Sequence, residues 1–270
     1  MKPILLFVLL LLPGIHLSAQ DQLVLESEYL NQPDTVWVFT PGNYDSIPGN
    51  EFPLVYLLHG WSGNYRQWDE IMDCQAYADN YGFIIVCPDG LYDSWYLNSP
   101  VETENRYEDF FLEELMPLIS KTYRCRENDI FITGLSMGGH GALYLYVQNL
   151  SLFKCAGSLS GLLDLNSWRD YYGITRILGL TGTDHDEQVL RAYSVAGKAG
   201  NIKSAGKEIM LSCGTEDPFY GINIEFITAC KKMDIPVHFI ETPGAHNMDY
   251  WRSAIGAQFD FFMGMAWEEK

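Results

Sequence analysis

The chain has 270 residues, 47% of them hydrophobic and 19% charged, with 24 glycines and 12 prolines. That composition can fill one sizeable core and excludes a disordered or collagen-like polymer. Its 35 acidic residues against 17 Lys and Arg give a formal net charge of −18, which repels phosphate backbones and anionic lipid surfaces and so argues against a nucleic-acid partner. A length of this order suits one doubly wound α/β domain.

Taken in chain order, the first feature is Met1-Lys2-Pro3 followed by an apolar run from Ile4 to Leu12, then Pro13-Gly14 and small residues at Ser18 and Ala19. A basic start, a short apolar core and small residues before a cleavage point read as a signal peptide over residues 1–20, cut after Ala19 or Gln20. No later stretch approaches the ~20 apolar residues that a spanning helix needs. The expectation is therefore a mature protein over 21–270 that is secreted or periplasmic, with no membrane insertion.

Beyond it, short apolar runs bounded by turn residues alternate with segments of helical period, the βαβ pattern of a mostly parallel sheet with helices on both faces. Strands are expected near Leu23–Tyr29, Thr35–Thr40, Pro53–Leu58, Phe83–Cys87, Asp129–Thr133, Lys154–Leu159, Glu208–Cys213 and Val237–Glu241. Helices are expected over Tyr65–Asn80, Tyr107–Tyr123, Met137–Asn149, Ile222–Met233 and Asp249–Met263. In the second of these, Phe110, Phe111, Leu115, Leu118 and Ile119 form one apolar face, and Pro117 implies a kink or local break. Two stretches fit neither period: residues 90–106, and residues 161–206, which join two strands. Insertions that long are read as binding loops or a lid.

The six cysteines, at 74, 87, 125, 155, 213 and 230, allow 15 pairings in an oxidising compartment. Cys87, Cys155 and Cys213 lie in strand-like apolar runs and read as small core residues. No CxxC and no Cys/His cluster with zinc spacing is present, so no metal is expected.

The sharpest chemical signal is Thr133-Gly134-Leu135-Ser136-Met137-Gly138-Gly139, placed between the strand ending at Thr133 and the helix opening at Met137. A G-x-S-x-G at that junction is a nucleophile elbow, a tight turn that exposes the serine hydroxyl. Such a hydroxyl needs a base, and the base needs a third group to hold its tautomer. In this architecture the order is Ser, then Asp or Glu, then His. His16 goes with the signal peptide, His59 precedes the serine, His140 is too close to it and His238 falls within a strand. His246 and His185 are left, and His246 is preferred because its loop follows the last strand. For the acid, Gly214-Thr215-Glu216-Asp217-Pro218 offers two carboxylates at a strand's end, with Asp217 preferred because Pro218 fixes the backbone beside it. The oxyanion donors are read as the N–H groups of Met137 and Trp61, and His59 as a residue bonded within its own Gly-rich turn.

The motifs His59-Gly60-Trp61-Ser62-Gly63-Asn64 with Trp68, Pro88-Asp89-Gly90, Gly134-Leu135-Ser136-Met137-Gly138-Gly139, Cys213-Gly214-Thr215-Glu216-Asp217 and Gly244-Ala245-His246 together resemble the esterase D-like putative esterase family of α/β-hydrolases. Tributyrin-type esterases and related acetylxylan and feruloyl esterases are the nearest branches. The resemblance runs from about Thr35 to the final helix. It implies an α/β-hydrolase fold, no cofactor, and action on small acyl esters; the eight-stranded sheet comes from the strand pattern above, and the lid insertion over about 161–206 is the least family-like part. It also matches Ser136, Asp217 and His246 to the triad and Trp61 and Met137 to the oxyanion hole.

An intact Ser, Asp and His in order argues against a non-catalytic carbohydrate-binding module, while the triad alone does not distinguish water from a sugar or lipid acceptor. Trp95 and Tyr96 in one insertion, and Trp168 and Tyr172 in the other, are expected to touch substrate, since rings with polar tips stack on sugar or phenolic rings. Arg169, Arg176 and Arg191 in the second insertion read as paired or solvated. The expected substrate is a small-molecule or oligosaccharide ester carrying an acetyl or feruloyl group.

Overall fold

A computed structural model of the chain describes residues 20–46 and 48–266. Apart from Gln20, the expected signal peptide lies outside the described residues. Eight strands form one sheet: β1 (Gln20–Leu25), β2 (Asp34–Phe39), β3 (Phe52–Leu58), β4 (Ile84–Pro88), β5 (Cys125–Gly134), β6 (Cys155–Leu159), β7 (Ile209–Gly214) and β8 (Val237–Thr242). Their spatial order is β1-β2-β4-β3-β5-β6-β7-β8. β2 runs antiparallel to both β1 and β4, and every pairing from β4 to β8 is parallel.

The central strands are covered on both faces, so they read as continuous apolar runs. Alternation along β3 divides the core in two. Leu54, Tyr56 and Leu58 join one cluster with Ile84, Val86 and Ile132, while Val55 and Leu57 join the other with Ile85, Cys87 and Phe131. The second face is closed by α1 (Gln67–Ile71), α2 (Cys74–Tyr81) and the last helix, α10 (Met248–Ala266), whose Ile255, Phe259 and Phe262 are buried. The first is closed by α3 (Tyr107–Asp109), α4 (Met116–Thr122) and α5 (Met137–Gln148). The remaining long helix, α9 (Tyr220–Lys232), buries Phe226 and Ile227.

Two helical expectations are corrected in detail. The helix expected over Tyr65–Asn80 breaks between α1 and α2, because Met72 turns extended and Asp73 caps α2, its carboxylate accepting the Ala76 N–H at 2.8 Å. The run containing Pro117 passes through a π-helical turn, Phe110–Leu115, before α4. Pro117 then stands at the start of α4, directly after the π-helical turn, so the local break in the ladder falls where its missing N–H removes a bond.

Residues 161–206 carry short helical pieces that the sequence period did not reveal. They are the 3-10 turns Leu165–Trp168 and Ala196–Lys198 with α6 (Ile174–Leu178), α7 (His185–Tyr193) and α8 (Ala199–Ser204). Ile174, Ile177, Leu190, Val195 and Ile202 from this segment are buried in the first core cluster. The segment is thus built into the domain's packing.

All six cysteines are free and buried. Burial pushes the thiols of Cys125 and Cys213 up to about 12 and that of Cys230 up to about 11, which keeps them protonated and unreactive. Among the described residues no helix is long and apolar enough to cross a membrane.

Candidate active site

The turn from β5 into α5 is possible only because its glycines have no side chains. A Cβ on Gly134 would overlap the carbonyl of Gly138, and one on Gly138 would overlap the carbonyl of Leu58. With the backbones that close, Ser136 is held at φ 54° and ψ −116°, a strained conformation for a non-glycine residue. Its hydroxyl stands half-exposed at the carboxyl edge of the sheet.

Two further strand ends deliver partners to that hydroxyl. Asp217 follows β7 and is buried, and His246 follows β8 on the loop before α10. Ser136 Oγ lies 2.9 Å from His246 Nε2, and His246 Nδ1 lies 2.8 Å from Asp217 Oδ2. The carboxylate fixes the tautomer with the proton on Nδ1, so Nε2 faces the serine as an acceptor. The other Asp217 oxygen accepts the Phe219 N–H at 2.8 Å. Glu216 points into solvent, and His185 is exposed at the start of α7.

The imidazole is also clamped by two rings that the motif reading did not single out. Phe219 meets it edge-on at 4.7 Å and Trp251 at 5.0 Å between centroids. Trp251 is itself tethered, its indole N–H donating to Ser160 Oγ at 3.2 Å. The only hint in sequence was position: Phe219 lies two residues after Asp217, and Trp251 in the first turns of the helix after His246.

Facing the serine, the turn after β3 runs His59-Gly60-Trp61. His59 Nδ1–H donates to the Gly60 carbonyl at 2.8 Å and Nε2 accepts the Gly90 N–H at 2.6 Å, so this histidine fixes the turn. Met137 opens α5 and has no acceptor within the helix. Among the described residues, no backbone carbonyl outside helices and strands accepts the N–H of Met137 or of Trp61. Two free N–H groups beside a poised hydroxyl are what a developing oxyanion requires.

The aromatic expectations divide. Trp168 and Tyr172 are half-buried and stacked at 5.9 Å, and with Trp61 and Phe219 they make a continuous wall beside the imidazole. Trp95 and Tyr96 are corrected: at 2% and 0% exposure they lie within the core and cannot touch a substrate. Trp95 Nε1 donates to the Tyr172 carbonyl at 3.0 Å and Tyr96 Oη to the His59 carbonyl at 2.9 Å, so both hold the residues that line the cleft. Arg169 pairs with Asp186, and Arg176 with Asp93 and Glu102. Among the described residues, no group of three or more His, Cys, Asp or Glu could hold a metal ion.

A parallel sheet with an elbow serine after β5 and a histidine after β8 defines an α/β-hydrolase of the serine type. Residues 27–262 match the model of the family described as "Putative esterase", and the chain belongs to that family. It is similar to an acetyl esterase of Caldicellulosiruptor saccharolyticus, at 27% identity over 232 residues, covering 80% of this chain and 85% of the relative. Among solved structures, a ferulic acid esterase superimposes with a TM-score of 0.77 at 25% identity, over 91% of this chain and 98% of that one. The fluorophosphonate-binding serine hydrolase FphF of Staphylococcus aureus superimposes with a TM-score of 0.80 at 20% identity, over 91% and 98% of the two chains. The chain is a carboxylic ester hydrolase.

Proposed function

We propose that the protein is an exported serine carboxylesterase that removes short acyl groups through an acyl-enzyme on Ser136. The observation that carries this reading is the unbroken relay from Ser136 Oγ through the imidazole of His246 to the buried carboxylate of Asp217. In the proposed cycle the Ser136 proton passes to His246 Nε2 as Oγ bonds to the ester carbonyl carbon. The carbonyl oxygen takes negative charge facing the N–H groups of Met137 and Trp61. Collapse breaks the bond to the alcohol, which leaves with the proton from Nε2, and a water deprotonated by the same nitrogen then hydrolyses the acyl-serine.

Acetyl is the first acyl group in this reading and feruloyl the next, on a neutral saccharide alcohol. The likeness to an acetyl esterase and to a ferulic acid esterase supports the acyl choice, and the half-exposed wall of Trp61, Tyr172 and Trp168 supports a ring-bearing substrate. Export rests on the apolar run over Ile4–Leu12.

Ser136→Ala is expected to lower kcat on p-nitrophenyl acetate by about 10⁴-fold or more while the thermal unfolding curve stays in place. Fluorophosphonate labelling should be lost with it. Retained turnover, or labelling at another residue, would overturn the assignment, and N-terminal sequencing of protein recovered from outside the cytoplasm checks export.

A further inference from the structure

The two segments without strand or helix period, residues 90–106 and 161–206, meet along a seam beside the oxyanion turn. Four of the non-glycine residues with left-handed backbone lie on it: Leu91, Trp95, Tyr96 and Tyr172, at φ 56°, 53°, 60° and 55°. Such conformations persist only where the surroundings over-determine them, and the seam is densely tied. Trp95 Nε1 donates to the Tyr172 carbonyl at 3.0 Å, Ser99 Oγ to the Ile177 carbonyl at 2.6 Å, and the Arg176 guanidinium joins Asp93, at 2.7 Å, to Glu102. Asp93 leaves no room for a side chain at position 173, which is glycine.

This bracing shapes one wall of a cavity of about 670 Å³ whose lining includes Asn31, Gln32, Tyr92, Asp93, Glu102 and Arg176, a volume within the ~300–1,000 Å³ typical of small-molecule sites. Tyr92 belongs to the cavity and to the cleft at once. Its ring meets that of Trp61 at 4.9 Å, its carbonyl accepts the Ser62 N–H at 2.8 Å, and it is 58% exposed. The cavity therefore adjoins the oxyanion turn, and an ester whose carbonyl sits at the Trp61 N–H can extend one of its halves past Tyr92 into it.

The lining selects the ligand. Three carboxylates, Asp93, Glu102 and Glu104, face one guanidinium, so an anion meets net negative charge, and the lining is more polar than apolar, with Leu91 and Val101 as its aliphatic members. The amides of Asn31 and Gln32 are exposed and hold no side-chain hydrogen bond among the described residues. Amides that donate and accept, carboxylates that accept and an open aromatic ring match a ring compound rich in neutral hydroxyl groups.

We propose that this cavity is a subsite for the sugar portion of a neutral acylated oligosaccharide, placed on the alcohol side of the ester that Ser136 cleaves. The proposal rests on the esterase reading above, and its test separates the two. The wild-type protein, Asn31→Ala, Gln32→Ala and the double variant are compared on p-nitrophenyl acetate, on acetylated xylose and on acetylated xylotriose. Both amides lie on an exposed loop away from the triad, so p-nitrophenyl acetate turnover should be unchanged. The KM for acetylated xylotriose should rise at least five-fold in the double variant, with kcat unchanged, and that for acetylated xylose should move less. An unchanged xylotriose KM, or equal changes on all three esters, would overturn the subsite. In parallel, Ser136→Ala protein is titrated with unacylated xylotriose, cellotriose and mannotriose and followed by NMR. Shifts confined to residues around Tyr92 support the subsite, and no shift with any of the three up to tens of millimolar overturns it. This binding arm reads out even if the protein hydrolyses no ester at all, in which case the esterase reading alone fails.

Discussion

Trp95 with Tyr96 and Trp168 with Tyr172 look alike as sequence: each is an aromatic pair in a long segment rich in polar and turn residues, without strand or helix period. In the fold they part. Tyr96 is driven between two helix-and-turn backbones, filling the space that Cβ atoms on Gly90 and Gly141 would otherwise occupy. Trp95 packs edge-on against His140 of α5 at 5.4 Å. Trp168 and Tyr172 instead have Phe219 and Trp61 on one side and solvent on the other. For Tyr96 the burial is set by glycines elsewhere in the chain, which open a slot for its ring, and Trp95 beside it is buried with it.

The largest expected effect comes from removing a ring of the buried pair. Trp95→Ala removes a buried indole together with its bond to the Tyr172 carbonyl, and should cost about 3–5 kcal/mol of stability in denaturant unfolding. Trp168→Ala, with half of its surface contact already missing, should cost clearly less. Equal losses for the two would erase the distinction between the pairs.

Next in size is a pH effect on the buried side of the comparison. His140 is fully buried, its Nε2–H donates to the Tyr193 carbonyl at 3.0 Å, and its ring stacks on Tyr144 and abuts Trp95. Burial lowers its pKa to about 4, whereas in the unfolded chain it titrates near ~6.5. Between those values the unfolded state binds more protons than the folded one, so this group's contribution is complete above ~6.5 and is lost as the pH falls toward 4, by up to about 3 kcal/mol. His140→Gln, which can still donate to Tyr193, should flatten that part of the stability-against-pH curve. An identical slope in the variant and the parent would show that His140 does not stay neutral in the fold.

The same contrast marks what sequence could and could not show. β3 to β7 are legible because strands buried on both faces are continuous apolar runs cut off by Gly, Asp or Pro. The elbow is legible because its backbone approaches admit only glycine at 134 and 138. Ser136 and His246 stand 110 residues apart in the chain and still meet, since each follows a strand of the same parallel sheet and all such ends share one edge. What stays hidden is either short or relational. Pieces such as Ile174–Leu178 and Leu165–Trp168 are too brief to show a period, and their helicity comes from packing against the main core. The break at Met72 could have been read from Asp73, a good helix cap, but the apolar spacing across it masks the stop. Nothing in the sequence orders Phe219 and Trp251 around one imidazole, because that contact needs β7, β8 and α10 already in place.

The smallest expected effect, and the one that tests the exposed pair directly, is at Tyr172. Trp95 bonds to its backbone carbonyl, so Tyr172→Ala deletes the ring without cutting the tie that braces the loop. Alanine accepts the left-handed backbone at this position, φ 55°, no worse than tyrosine does, and the ring was only half-buried. Stability should therefore change by about 1 kcal/mol or less, well below the loss for Trp95→Ala. The cleft does lose one of two stacked rings beside Trp61, so the KM for an aromatic ester such as methyl ferulate should rise about ten-fold, equivalent to ~1.4 kcal/mol, with kcat nearly unchanged. Fluorophosphonate labelling of Ser136 should proceed at the parent rate, since no group of the relay has moved. If Tyr172→Ala instead unfolds as readily as Trp95→Ala while its KM for methyl ferulate stays at the parent value, Tyr172 belongs with the structural pair, and the substrate wall contracts to Trp61, Trp168 and Phe219.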